Sequence, residues 1–371
     1  MGIITFIIPF IVLITLVVFI HEYGHYYFAK LYGVGVTDFS IGFGKEIFGF
    51  NDKSGTRWKF CAIPLGGYVK FFGDRNVFSQ SEQDELLKQY NKKDQNKLFV
   101  TKPLYQRSLI VAAGPFANFL LAIFIFSFIY MFAGKDFTPA QIQEVQIDGP
   151  AHVAGIKKDD IILSINNNKV QSILDVSTYI NASSKDIIDM NILRNDNELL
   201  LKVKPKKTEG KDSLGNKINR KIIGIKISPL NDEFDKQKLG PATAIFYAVK
   251  ETWFVTKTSL QFIFSIFKGK GDTTQLGGPI KIAKITGQVA QHGLVAFLSI
   301  MAYISISLGF INLFPIPMLD GGHLMFYAFE KVLGRPLQQR TQEGFFRIGL
   351  FLLFSLMFFT IFKDLRDLGI F

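Results

Sequence analysis

Four long apolar blocks divide this chain, and the segments between them follow quite different patterns. Residues 3–28, 108–133, 293–314 and 347–363 each read as a membrane-crossing helix, the last only if its flanks join it. After the first block the pattern switches to alternation. Phe39, Ile41 and Phe43 alternate with Ser40 and Gly42, Asn51-Asp52-Lys53-Ser54-Gly55 supplies turn chemistry, and Trp58, Phe60 and Ala62 alternate again. A period of two predicts a β-hairpin, followed by a break at Gly66-Gly67 and a third short strand over Tyr68–Phe72. The pattern leaves open whether this sheet dips into the membrane face or is an ordinary cytoplasmic hairpin. Residues 76–106 are charged and aperiodic, a solvated connector with room for one short helix.

Residues 137–230 carry short apolar runs at Val145–Ile147, Ile161–Ile165, 187–194 and 198–204, broken by Gly and Asn, with one helix expected near 174–182. That is the pattern of a compact soluble domain. Residues 242–267 are apolar but interrupted by Lys250, Glu251 and Lys257, so a surface-lying amphipathic helix is expected there in place of a fifth span. No second copy of any segment is detectable, which argues against a transporter built from repeats.

The predicted fold class is a polytopic α-helical membrane protein with four transmembrane helices, a membrane-associated β-hairpin or sheet, and one inserted extracytoplasmic α+β domain. Its segments are 1–35 (first helix), 36–106 (β-segment and connector), 107–136 (second helix), 137–230 (compact domain), 231–292 (amphipathic helix and linker) and 293–371 (third and fourth helices). A composition of 48% hydrophobic and 14% aromatic residues in 371 supports a membrane class over a soluble one. Charge sets the orientation. Lys and Arg crowd the segment between the first two spans, and Lys331, Arg335 and Arg340 follow the third, so these segments are predicted cytoplasmic and both termini exterior. The basic 137–230 segment is predicted exterior as well, since long loops translocate largely regardless of charge. The net charge of +11 is read as attraction to anionic lipid headgroups; no nucleic-acid motif accompanies it, and no nucleic-acid partner is expected. The single Cys61 excludes an intramolecular disulfide.

One motif carries chemistry. His21-Glu22-Tyr23-Gly24-His25 lies at the end of the first apolar block and uses two of the chain's five histidines. On a helix, positions four apart share a face, so both imidazoles can grip one metal, and Glu22 between them can act as general base toward a water that the metal activates. Polar groups at membrane depth are costly, which favours function over coincidence. Catalytic zinc takes three protein ligands. The third is expected in Asn312-Leu313-Phe314-Pro315-Ile316-Pro317-Met318-Leu319-Asp320, where two prolines break the third span and Asp320 emerges at the same membrane side as His21.

These features in this order resemble the site-2 protease family of intramembrane zinc metalloproteases, in its bacterial sigma-E regulator branch. The resemblance covers H-E-x-x-H, the β-segment leading to Ala62-Ile63-Pro64-Leu65-Gly66-Gly67-Tyr68, Gly114-Pro115-Phe116-Ala117-Asn118, and N-x-x-P-x-x-x-x-D-G from Asn312 to Gly321. It implies one zinc ion on His21, His25 and Asp320, Glu22 as general base, a PDZ-like domain at 137–230, and Asn312 holding substrate backbone, with Asn118, Gly66 and Gly67 as further substrate-binding candidates. It also implies a bacterial inner-membrane protease, linked to a stress response, that cuts transmembrane helices of an anti-sigma factor already trimmed outside, or signal-peptide-like helices. The best-known members carry two PDZ domains, and this chain shows room for one. The competing expectation is a membrane-anchored peptide-binding module with an inactive zinc site.

Overall fold

The computed structural model describes residues 4–73, 90–183, 185–211, 217–229, 234–269 and 277–367. Residues 76–89 of the expected connector lie outside these. The chain forms two compact units, one of Met1–Ile125 with Gly278–Phe371, the other of Phe126–Gly277.

The first unit opens with helix α1 (Ile4–Leu31), whose 28 residues at about 1.5 Å each exceed the roughly 30 Å hydrocarbon core of a bilayer. Strands β1 (Val36–Asn51) and β2 (Arg57–Phe71) follow. Val36–Ile41 pairs antiparallel with Phe71–Gly67, and Phe48–Asn51 pairs antiparallel with Phe60–Arg57. Residues 38–41 also pair with residues 57–60, so the expected third strand, residues 67–71, lies on the other side of β1 from residues 57–60 although it is continuous with them in β2. Gly66 adopts φ +144°, a conformation open to glycine, so the strand bends there and runs on. The turn between the strands is organised by Asp52, which accepts hydrogen bonds from the backbone and hydroxyl of Ser54, the Thr56 backbone, the Trp58 indole and the Tyr26 hydroxyl. Helix α2 (Leu104–Phe132) comes next, ahead of the second unit.

In the second unit an antiparallel sheet runs in the order β4-β3-β5-β6, formed by β3 (Ile161–Ile165), β4 (Asn168–Lys169), β5 (Ile188–Arg194) and β6 (Asn197–Val203). Alternation points Ile188, Met190 and Ile192 to one face. There they pack with Ile162, Ile165 and Val203 and with Val176 and Ile180 of helix α3 (Ile173–Ala182), all buried. A capping box of Ser172 and Asp175 starts that helix. Asn195 and Asp196, both at positive φ, make the tight turn from β5 to β6. The unit also holds the long helix α4 (Pro241–Phe267).

The chain returns to the first unit with α5 (Pro279–Ala290), α6 (Leu294–Asn312), α7 (Asp320–Leu333) and α8 (Gln339–Asp367). Asp364 of α8 accepts hydrogen bonds from the first backbone amides of α5, Gly278 at 3.0 Å and Lys281 at 2.9 Å, tying these helices together. The apolar stretches at Thr5–Leu31, Leu104–Phe132, Leu294–Asn312 and Arg340–Asp367 are long and apolar enough to cross a membrane. Phe351, Phe354, Phe358 and Phe362 on α8 stand exposed. In water such a surface would drive association; against lipid tails it costs nothing.

Candidate metal centre and active site

The H-E-x-x-H segment lies in the C-terminal half of helix α1, as continuous α-helix, so His21 and His25 lie one turn apart on one face. Their Nε2 atoms are 3.3 Å from each other. The third partner arrives from a break between helices. Pro315 and Pro317 have no amide hydrogen to continue α6, Met318 takes φ +90°, and Asp320 opens the first turn of α7. Any side chain at Gly321 would overlap the Leu313 and Phe314 carbonyls, so glycine there lets the broken segment fold tightly against α7. Asp320 consequently reaches both imidazoles, Oδ2 lying 3.1 Å from His21 Nε2 and Oδ1 3.5 Å from His25 Nε2.

This donor set fits zinc. Tetrahedral bonds of about 2.0–2.1 Å leave neighbouring ligand atoms about 3.3 Å apart, the spacing seen among these three groups. Two Nε2 atoms facing each other cannot both be satisfied by one proton, and Asp320 Oδ2 is buried with no hydrogen-bond donor; a cation between them resolves both. The rear of the site is oriented as well. His25 Nδ1 donates to the Ile110 carbonyl at 2.9 Å, which leaves its Nε2 lone pair facing the cluster. Gly114, one turn along α2, is where a Cβ would collide with the His25 ring. Arg107, at the start of α2, forms a bidentate pair with Glu330 and lies over the Tyr327 ring, holding α7 from its far end.

The cluster opens onto a cavity of about 400 Å³. Glu22, Gly66, Gly67 and Asn312 line it together with the three metal-ligand candidates. A side chain at Gly67 would press on the Glu22 methylene and the Ser40 carbonyl. The β2 backbone thus passes directly against the acid. Asn118, a substrate-binding candidate by the family resemblance, has a fully buried side chain 3.2 Å from His21 Nδ1 and is not among the described residues that line the cavity. The polar wall has a member that sequence reasoning left without a role, His323. It follows Asp320 by three positions and so shares its helix face, a spacing that could have flagged it. The Ile110 carbonyl is a backbone group and left no trace in residue type.

A helical chain holding a His-His-Asp cluster with an acid beside it in an apolar bundle has the form of a membrane-embedded metallohydrolase. Residues 9–356 match the model of peptidase family M50, and the chain belongs to this family, that of the site-2 proteases. It is 40% identical over 361 residues to a provisionally named zinc metalloprotease of Mesorhizobium japonicum, covering 96% of this chain and 98% of that protein. A second such protein, from Agrobacterium fabrum, is 40% identical over 363 residues, covering 98% and 96%. The metalloprotease MmpA of Caulobacter vibrioides is 33% identical over 391 residues, covering 100% and 98%. Among solved structures, a PDZ domain of an SdrC-like protein from Listeria monocytogenes matches 24% of this chain and 88% of its own, at 22% identity and a TM-score of 0.20. The chain is a zinc-dependent metalloprotease and a multi-pass membrane protein, acting on membrane-protein substrates in a lipid environment.

Proposed function

We propose that His21, His25 and Asp320 hold the zinc ion and that Glu22 is the general base of an intramembrane endopeptidase that cuts transmembrane helices. The observation that carries this reading is the convergence of three ligand atoms, with Glu22 on the same cavity wall. Zinc in this position supplies Lewis acidity, which polarises a carbonyl and lowers the pKa of water. Glu22 takes the proton of the attacking water on its carboxylate and returns it to the departing amine, so that its net charge is restored at the end of the cycle. A peptide bond inside a helix is shielded, so the substrate must unwind locally. The β2 backbone at Gly66 and Gly67, bare of side chains, offers an edge along which an extended segment can lie, and Asn312 across the cavity offers amide hydrogen bonds to its backbone.

The fitting substrates are membrane-anchored regulators such as an anti-sigma factor trimmed on its exterior side, or signal-peptide-like helices, cut in the bacterial inner membrane as part of a stress response. Residues 137–230 form a PDZ-like domain exterior to the cytoplasm, with both termini on that side, and restrict access without taking part in the chemistry. Its sheet, closed by α3, has the make-up of a small peptide-holding module, and neither an acid-base pair nor a metal cluster is found there among the described residues. The test is Glu22→Gln in the purified full-length protein. It should retain near-stoichiometric zinc and lose cleavage of a membrane-spanning substrate by several orders of magnitude; loss of most of the metal would overturn the assignment of Glu22 as base.

A further inference from the structure

Among the described residues, Asn118 is a buried polar side chain packed behind the cluster whose hydrogen bonding contradicts the state of its neighbour. Its Nδ2 lies 3.2 Å from His21 Nδ1, while its Oδ1 is buried with no hydrogen-bond partner. An amide nitrogen only donates, so that arrangement makes His21 Nδ1 the acceptor and puts the imidazole proton on Nε2. Nε2 is the atom that faces His25 and Asp320. A protonated Nε2 cannot bind a cation. A rotation of about 180° about the last side-chain bond exchanges the amide nitrogen and oxygen, and the hydrogen-bond network is what assigns them.

Turning the amide over resolves both conflicts at once. Oδ1 then accepts from His21 Nδ1–H, the orphaned oxygen gains its donor, and the Nε2 lone pair is free toward the cluster. We infer that Asn118 is a positioning residue that accepts a hydrogen bond from His21 Nδ1 and thereby selects the imidazole tautomer able to ligate the metal. The inference rests on His21 serving as a ligand through Nε2.

The surroundings hold Asn118 to this task. It has no accessible surface, so its side chain cannot swing out to solvent or substrate. Its backbone carbonyl accepts from the Ser305 hydroxyl at 2.8 Å, which pins this turn of α2 to α6. Gly309 on α6 lies so close to the Asn118 methylene that a Cβ there would come within 3.1 Å of it. The two histidines are then treated alike from behind: His25 donates to a backbone carbonyl, His21 to a side-chain carbonyl. Gly114 and Asn118, four apart on one face of α2, serve the two rings in turn, one by making room and the other by accepting a proton.

The test separates accepting from donating. Full-length protein in detergent is stripped of metal, and zinc affinity is measured by competition with a chromophoric chelator for wild type, Asn118→Asp, Asn118→Leu and His21→Ala. Asn118→Leu, similar in volume and unable to accept, should weaken zinc binding by about 10–100-fold, with little change in the melting temperature of the metal-free protein. Asn118→Asp, which can only accept, should bind zinc at least as tightly as wild type. If the Leu variant does not fold, the Asp variant decides alone, because an asparagine acting as donor would make it bind more weakly. Wild-type affinity in a folded Leu variant, or weakened affinity in the Asp variant, overturns the inference. His21→Ala tells the two levels apart: unchanged zinc affinity there means that His21 is no ligand and the underlying reading fails. Loss there with unaffected Asn118 variants removes only the role of Asn118.

Discussion

Each residue of the centre does work that its neighbours cannot replace. Asp320 reaches both histidines because it opens a helix after a break, and no other described acid lies with them in a potential metal cluster. Asp320→Ala should therefore lower zinc affinity together with activity, since two protein ligands remain. Metal analysis of the purified variant checks this; full occupancy with only slower turnover would place Asp320 outside the ligand set. The neighbouring glycines matter through volume. Gly114 and Gly321 leave space where a methyl group would displace a histidine ring or the carbonyls that end α6.

At the level of elements, the turn between β1 and β2 is the most self-contained device in the first unit. Partial burial alone would raise the Asp52 pKa, but hydrogen bonds from Ser54, Thr56, Trp58 and Tyr26 outweigh it and hold the carboxyl well below the ordinary carboxylate range. A group depressed in the folded state contributes stability that is fully present above its unfolded pKa of about 3.9 and is lost as pH falls through the folded value. The turn should stay intact at pH 5 and loosen at strongly acidic pH. Amide exchange over residues 51–58 should rise on acidification, after correction for intrinsic rate, in wild type. In Asp52→Asn, exchange there should already be faster at neutral pH, with a smaller acid response. Because Tyr26 of α1 is among the donors, the turn also anchors the sheet to the helix that carries His21 and His25. The Arg107–Glu330 pair plays the matching part for α7.

For the whole molecule the open quantity is orientation across the bilayer. The excess of Lys and Arg between the first two spans predicts that residues 36–106 and 323–346 face the cytoplasm and 137–230 the exterior. Asn168→Cys in a background with Cys61 replaced should react with a membrane-impermeant thiol reagent on intact cells stripped of their outer envelope. Reaction only after the cells are opened reverses the orientation.

The chain pattern alone marked the four apolar helices, the hairpin residues, the sheet-and-helix domain and the His21, Glu22, His25 and Asp320 set, because each leaves a local trace: a run of apolar residues, a period of two or four, prolines that end a helix. The family resemblance, and not the pattern, named Asn312, Gly66 and Gly67, which line the cavity. Position in space was decided elsewhere. The join of the third expected strand into β2 depends on one glycine at φ +144°, and the contact of Asn118 with His21 links residues 97 positions apart through the packing of α1 against α2. Composition and periodicity describe what a segment does with its immediate neighbours. Which atom of a buried amide meets which nitrogen of a histidine is settled only when distant helices close on one another, and there the cost of an unsatisfied polar group selects the arrangement.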